Sequence, residues 1–152
     1  MALLCTPAVP WASESPDLDP GNDPVVLAEP MSGYNSFVVT QDGIANELNA
    51  MQQGTHNSIE ARQWGAGNWL DLAQDGQMNH AALLQDGDHN AIIVQQSGER
   101  NDTAVTQYGV GNEADLFQWG VGNTAMVEQY GNQLRATVWQ WGTGNNTRVV
   151  QQ

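Results

Sequence analysis

Glutamine stands at every eleventh residue from position 41 onward: Gln41, Gln52, Gln63, Gln74, Gln85, Gln96, Gln107, Gln118, Gln129, Gln140 and Gln151. Counting each as position one, glycine fills position three of all ten complete units: Gly43, Gly54, Gly65, Gly76, Gly87, Gly98, Gly109, Gly120, Gly131 and Gly142. Asparagine holds position six in nine of the ten, at Asn46, Asn57, Asn68, Asn79, Asn90, Asn101, Asn112, Asn123 and Asn145, with Leu134 as the exception. Position ten is aliphatic throughout, from Ala50 to Val149. Position eight is Leu, Ile or Ala except at Thr103 and Thr147. No unit carries an insertion or deletion. So strict a period decides architecture before any local propensity does.

Eleven residues fit three turns of a helix, which would make a right-handed coiled coil. That reading puts a Gly and an Asn into every unit, each Gly costing roughly 1 kcal/mol against Ala. A strand-and-turn unit fits better. Positions six, eight, ten and the next Gln are two apart, so in an extended chain all four side chains share one face. Position nine, on the opposite face, is mixed and largely polar. Glycine at position three is expected to begin the tight bend between strands.

One such unit cannot close on itself. Two make a flattened 22-residue loop with a strand in each of two facing sheets. The expected fold is therefore all-β: a two-sheet, cross-β solenoid of about five 22-residue loops, on the order of 24 Å tall at the usual strand spacing. Positions eight and ten fill a thin core. The inward Gln and Asn are expected to form amide ladders, each side chain bonding the same residue one loop above and below. Such pairing offsets the cost of burying polar groups. The C-terminus runs out as Val149-Val150-Gln151-Gln152 with no capping element. An open sheet end templates further strands, and head-to-tail stacking that never closes makes a filament.

Composition narrows the partners. Four Arg and no Lys against 17 acids leave a net charge of -13, which argues against nucleic acid and against anionic membrane surfaces. No stretch reaches 18 apolar residues, so no membrane-spanning helix is expected. The single cysteine, Cys5, excludes an intrachain disulfide and a Cys-based zinc site.

The motif Gln-x-Gly-x-x-Asn-x-Ala-x-x-x-Gln can be read at Gln74, Gly76, Asn79, Ala81 and Gln85, and again at Gln118, Gly120, Asn123, Ala125 and Gln129. It resembles the curlin repeat, and the resemblance covers residues 35–152. Both halves of the loop carry Asn, where the family repeat usually opens alternate halves with Ser, so the repeat does not separate a major subunit from a minor one. The resemblance implies a secreted subunit of curli, the functional-amyloid (pilus-like, fimbrial) fibres of the bacterial surface, serving biofilm matrix, adhesion and surface colonisation. It further implies self-polymerisation, a second curlin subunit as nucleator or major component, and export through a dedicated channel with accessory proteins.

The first 40 residues differ. All six prolines lie within the first 30 positions. Residues 1–12 are mildly apolar without a basic start, and are expected to be the remnant of a secretory signal peptide. Cys5 follows Leu3 and Leu4, which is no lipobox. Residues 13–34, acidic and Pro-rich, read as a solvated, disordered segment. Asn35, Phe37 and Val39 continue positions six, eight and ten, so a further strand is expected ahead of the first full unit.

No reaction can be read from these residues, and no cofactor or metal is expected. His56, His80 and His89 suggest a metal, but His80 and His89 are not a multiple of 11 apart and fall at different loop positions. Asp75, Asp86 and Asp88 lie near the bends, but the 11-residue period is not that of calcium-binding β-rolls. They read instead as gatekeepers, central acids restraining aggregation, whereas the segment after Glu128 has no acid and gains Trp139, Trp141, Val149 and Val150. Outward aromatics 22 apart (Trp119 with Trp141, Tyr108 with Tyr130) should stack. They also suggest the competing reading: a soluble secreted solenoid that binds carbohydrate or another surface ligand.

Overall fold

The computed structural model describes residues 25–28 and 33–152. The segment 1–12 and most of 13–34 lie outside them. Twelve strands follow one another: β1 (Val25–Ala28), β2 (Ser36–Ile44), β3 (Glu47–Thr55), β4 (Ser58–Ala66), β5 (Trp69–Gln77), β6 (His80–Asp88), β7 (Ala91–Glu99), β8 (Asp102–Val110), β9 (Glu113–Val121), β10 (Thr124–Asn132), β11 (Arg135–Thr143) and β12 (Asn146–Gln151). They alternate between two six-stranded sheets, ordered β1-β3-β5-β7-β9-β11 and β12-β10-β8-β6-β4-β2. Every pairing is parallel. The molecule is a β-solenoid with a 22-residue turn.

The register explains why the period tolerates no insertion. Leu48 stands opposite Leu70, Gln52 opposite Gln74 and Gly54 opposite Gly76, so each residue type meets its own kind one rung away. A one-residue slip would turn every inward side chain outward. Along each strand buried and exposed residues alternate. The core is Leu48, Ile59, Leu70, Leu72, Ile92, Val94, Leu116 and Val127 with small residues between, all nearly inaccessible. Phe37, Val39 and Val149 pack against its two ends.

Two expectations are corrected. Glycine at position three does not begin the break between strands: Gly54 lies inside β3, paired with Gly76 of β5. The break falls at positions five and six, between Thr55 and Ser58 for example, because the ladder carries on through the glycine. The strand β1 lies within the stretch expected to be solvated. It pairs with β3 in a different register: Val25 meets Leu48, 23 residues on, where all later pairs are 22 apart.

Candidate assembly interface

The inward glutamines form two columns, one per sheet. Gln41, Gln63, Gln85, Gln107 and Gln129 each donate Nε2 to the Oε1 of the glutamine one rung on, at 2.6–3.1 Å, the column ending at Gln151. Gln52, Gln74, Gln96 and Gln118 do the same at 2.7–2.9 Å, ending at Gln140. The second Nε2 proton crosses to the facing sheet: Gln63 donates to the carbonyl of Glu47, and Gln107 to that of Ala91. Each interior Gln therefore spends both protons and its oxygen inside the protein, which is what burial demands. Each column ties rung to rung while its cross-bonds tie sheet to sheet. Thr103, the odd residue at position eight, joins this network. It is fully buried, accepts from Gln96 Nε2 and donates to Gln118 Oε1. Gln140 Nε2 likewise donates to Thr147 Oγ1.

The asparagines do something different from a simple side-chain ladder. Asn68 Oδ1 accepts the backbone N–H of Asn90, and its Nδ2 donates to the carbonyls of Trp64 and Gly87. The same pattern repeats at Asn57, Asn79, Asn101, Asn112 and Asn123. Side-chain to side-chain bonds such as Asn79 to Asn57, at 3.2 Å, are secondary. Asparagine thus pins the corner backbone. The preceding residue needs pinning: position five is left-handed, with φ of 55–58° at Ala45, His56, Met78, His89, Arg100 and Gln133. That conformation costs a non-glycine residue about 1–2 kcal/mol. Glycine at this position in Gly67, Gly111, Gly122 and Gly144 was the overlooked sequence signal of the true corner. Leu134 breaks the Asn series harmlessly, since its own N–H still donates to Asn112 Oδ1.

Position three is glycine for reasons of approach as well as dihedral. At Gly98 φ is +122°, and a Cβ would sit 2.1 Å from the carbonyl oxygen of Gly120 one rung above. No side chain fits there without parting the ladder.

Of the acids, none of the three named gatekeepers stands on another acid. Asp75 lies between Gln53 and Ser97, Asp86 between Trp64 and Tyr108, and Asp88 next to Val110. Asp88 Oδ1 also accepts the backbone N–H of Ala66 at 2.9 Å, a place Asn132 fills two rungs on by accepting from Val110. Stacked like charges are therefore not the source of any restraint these acids exert. The histidines are dispersed: His56 stacks on Tyr34, His80 Nδ1 lies 2.8 Å from Asp102, and His89 lies over the Gly67 corner. No group of three or more His, Cys, Asp or Glu that could hold a metal gathers among the described residues.

The ends of the stack are where chemistry is left open. At the C-terminal end β11 and β12 each have one paired neighbour among the described residues, so each presents an edge that no described strand covers. On β11, Trp139 and Trp141 are 52% and 63% exposed, and they form the upper layer of an aromatic stack over Phe117 and Trp119 with centroids 4.3–5.9 Å apart. Arg135 pairs with Glu113 at 2.9 Å and Arg148 with Glu128 at 2.7 Å, so the acids nearest this end are matched. At the N-terminal end Gln52 Oε1 is buried and finds no donor among the described residues.

Residues 98–131 and 120–152, spanning β8 to β12, each match the family model described as Curlin associated repeat. None of the curated proteins matches the chain.

Proposed function

Because the chain belongs to the curlin-repeat proteins, we propose that it is a structural subunit of a curli-type amyloid fibre, polymerising by end-to-end stacking of solenoids. The observation that carries this is the open C-terminal edge. β11 presents to solvent the Gln, glycine and aliphatic pattern that every interior rung presents to its neighbour, and β12 carries the aliphatic and Gln part of it as far as Gln151. A second copy seated there gains a backbone ladder and an amide column, and leaves a new identical edge. The sealed hydrophobic interior and the dispersed polar groups suit a structural rather than a catalytic role.

On this reading the fibre lies outside the bacterial cell and serves adhesion and biofilm matrix. Its partners are further copies of itself, a second curlin subunit as nucleator or major component, and the curli export channel with its accessory proteins. The amide columns (Gln41 to Gln140, Asn46 to Asn145) and position-three glycines are the structural sites, and Asp75, Asp86 and Asp88 slow assembly through the charge they add to the surface. The test is to incubate the purified chain, follow thioflavin fluorescence, and examine the product by electron microscopy and fibre diffraction. Unbranched fibres with reflections near 4.8 Å and about 10 Å are expected. A chain that stays monomeric for days at tens of micromolar sinks the proposal.

A further inference from the structure

The outer face of the sheet containing β3, β5, β7 and β9 is uneven in a way the repeat does not require. Position two on this face reads Gln53, Asp75, Ser97, Trp119, Trp141 from rung to rung, and position eleven reads Met51, Ala73, Gln95, Phe117, Trp139. The two upper rungs form a double aromatic layer. Phe117 and Trp119 make its lower leaf, their rings within 7° of parallel, and Trp141 lies over Trp119 at 5.3 Å and 9°. Above, Trp119 is covered by a ring. Below, its register partner is Ser97, a side chain too small to cover an indole.

That step opens a groove of about 270 Å³ running down the stack, lined by Trp119, Ser97, Gln95, Ala73, Asp75 and Gln53, with Met51 at its far end. Ala73, between Met51 and Gln95 in its column, gives the groove its depth. The lining joins one free aromatic face to two primary amides, a hydroxyl and a carboxylate. A pyranose ring asks for that combination: an apolar face of C–H bonds to lie on an indole, and a rim of hydroxyls that both donate and accept hydrogen bonds. Anionic ligands are disfavoured by Asp75 and by the net charge of -13.

We propose that this groove binds a neutral hexopyranose unit of a polysaccharide, with Trp119 as the stacking platform and Asp75, Gln53 and Gln95 as partners for its hydroxyls. Because the groove runs along the stack on a lateral face, it stays open whether the chain is single or assembled. The binding is independent of the fibre reading.

The test is affinity electrophoresis of freshly dissolved full chain in native gels cast with hydroxyethyl cellulose, a neutral glucan, or with alginate, an anionic polymer. Retardation by the neutral polymer and little by the anionic one is expected. Ser97→Trp, which fills the open face by extending the stack, should weaken retardation at least tenfold, and Asp75→Ala should weaken it several-fold. Trp64→Ala, on the opposite sheet, should leave it unchanged. Circular dichroism of each variant confirms the fold, and Asp75→Ala keeps the test decisive if Ser97→Trp fails to fold. Wild-type mobility unaffected by the neutral glucan, equal retardation by alginate, or full binding by a folded Ser97→Trp would each overturn the proposal.

Discussion

Replacing Gln107 with Leu tests whether the amide columns hold the solenoid together. Gln107 is fully buried in β8. Its Nε2 donates to Gln129 Oε1 at 2.8 Å and to the Ala91 carbonyl at 3.0 Å, and its Oε1 accepts from Gln85 Nε2 at 3.1 Å. Leucine is close in volume, so no cavity opens, but these bonds all go. Gln129 Oε1 loses its donor, one proton of Gln85 loses its acceptor, and the Ala91 carbonyl loses its side-chain donor. At about 1–3 kcal/mol per buried orphan the loss is roughly 3–9 kcal/mol. Burying the leucine side chain returns about 2 kcal/mol. The net destabilisation is on the order of 4 kcal/mol, a large share of the total stability of a domain this size. With an m-value of about 4 kcal/mol/M, the guanidinium midpoint followed by circular dichroism should fall by about 1 M. Gln151→Leu is the internal control. At the C-terminal end that side chain only accepts from Gln129 and donates to the Arg135 carbonyl, near solvent, so its shift should be a small fraction of this. If the two variants shift the midpoint equally, or Gln107→Leu does not shift it, the columns are passengers and the apolar core alone sets the stability.

Other outcomes follow from the same geometry. Gly120→Ala, whose Cβ would meet the Gly142 oxygen at 2.0 Å, should fail to fold or melt many degrees lower, whereas Gly122→Ala, with open space at φ +66°, should cost only about 1–2 kcal/mol in a thermal melt. Val127→Asp places an unpaired carboxylate in the core and should abolish both the folded circular dichroism signal and any fibre yield, while Thr124→Ser on the outer face leaves both unchanged. Deleting 129–152 removes the exposed Trp139 and Trp141 edge and should lengthen the thioflavin lag severalfold at matched concentration; an unchanged lag would refute the C-terminal end as the assembly front. Asp88→Asn retains the Oδ1 acceptor for Ala66, as Asn132 does for Val110, so it and Asp86→Asn should shorten the lag at low salt without lowering the melting temperature.

The sequence alone determined the period, the parity and the inside of this protein. Gln and the aliphatic positions fall two apart within an 11-residue unit that never slips, and an extended chain has a side-chain period of two. The inward set was therefore legible, as were the two-sheet solenoid and its 22-residue turn. The tertiary structure alone decided where the chain turns and what each amide does. Position three looked like the corner because glycine usually marks one, yet there it yields to the closeness of the next rung's carbonyl. The corner lies two residues later, at a position that Ala45, His56 and Arg100 occupy at positive φ. Those residues carry no turn signature of their own. They adopt the left-handed conformation because the following asparagine, bonded to carbonyls four residues back and nineteen residues on, holds the backbone there. A bond spanning nineteen residues exists only once the rungs are stacked. The same reason hid the role of Thr103, whose hydroxyl is tolerated in the core because two glutamines of the facing sheet arrive beside it, and the open face of Trp119, which depends on a serine 22 residues earlier.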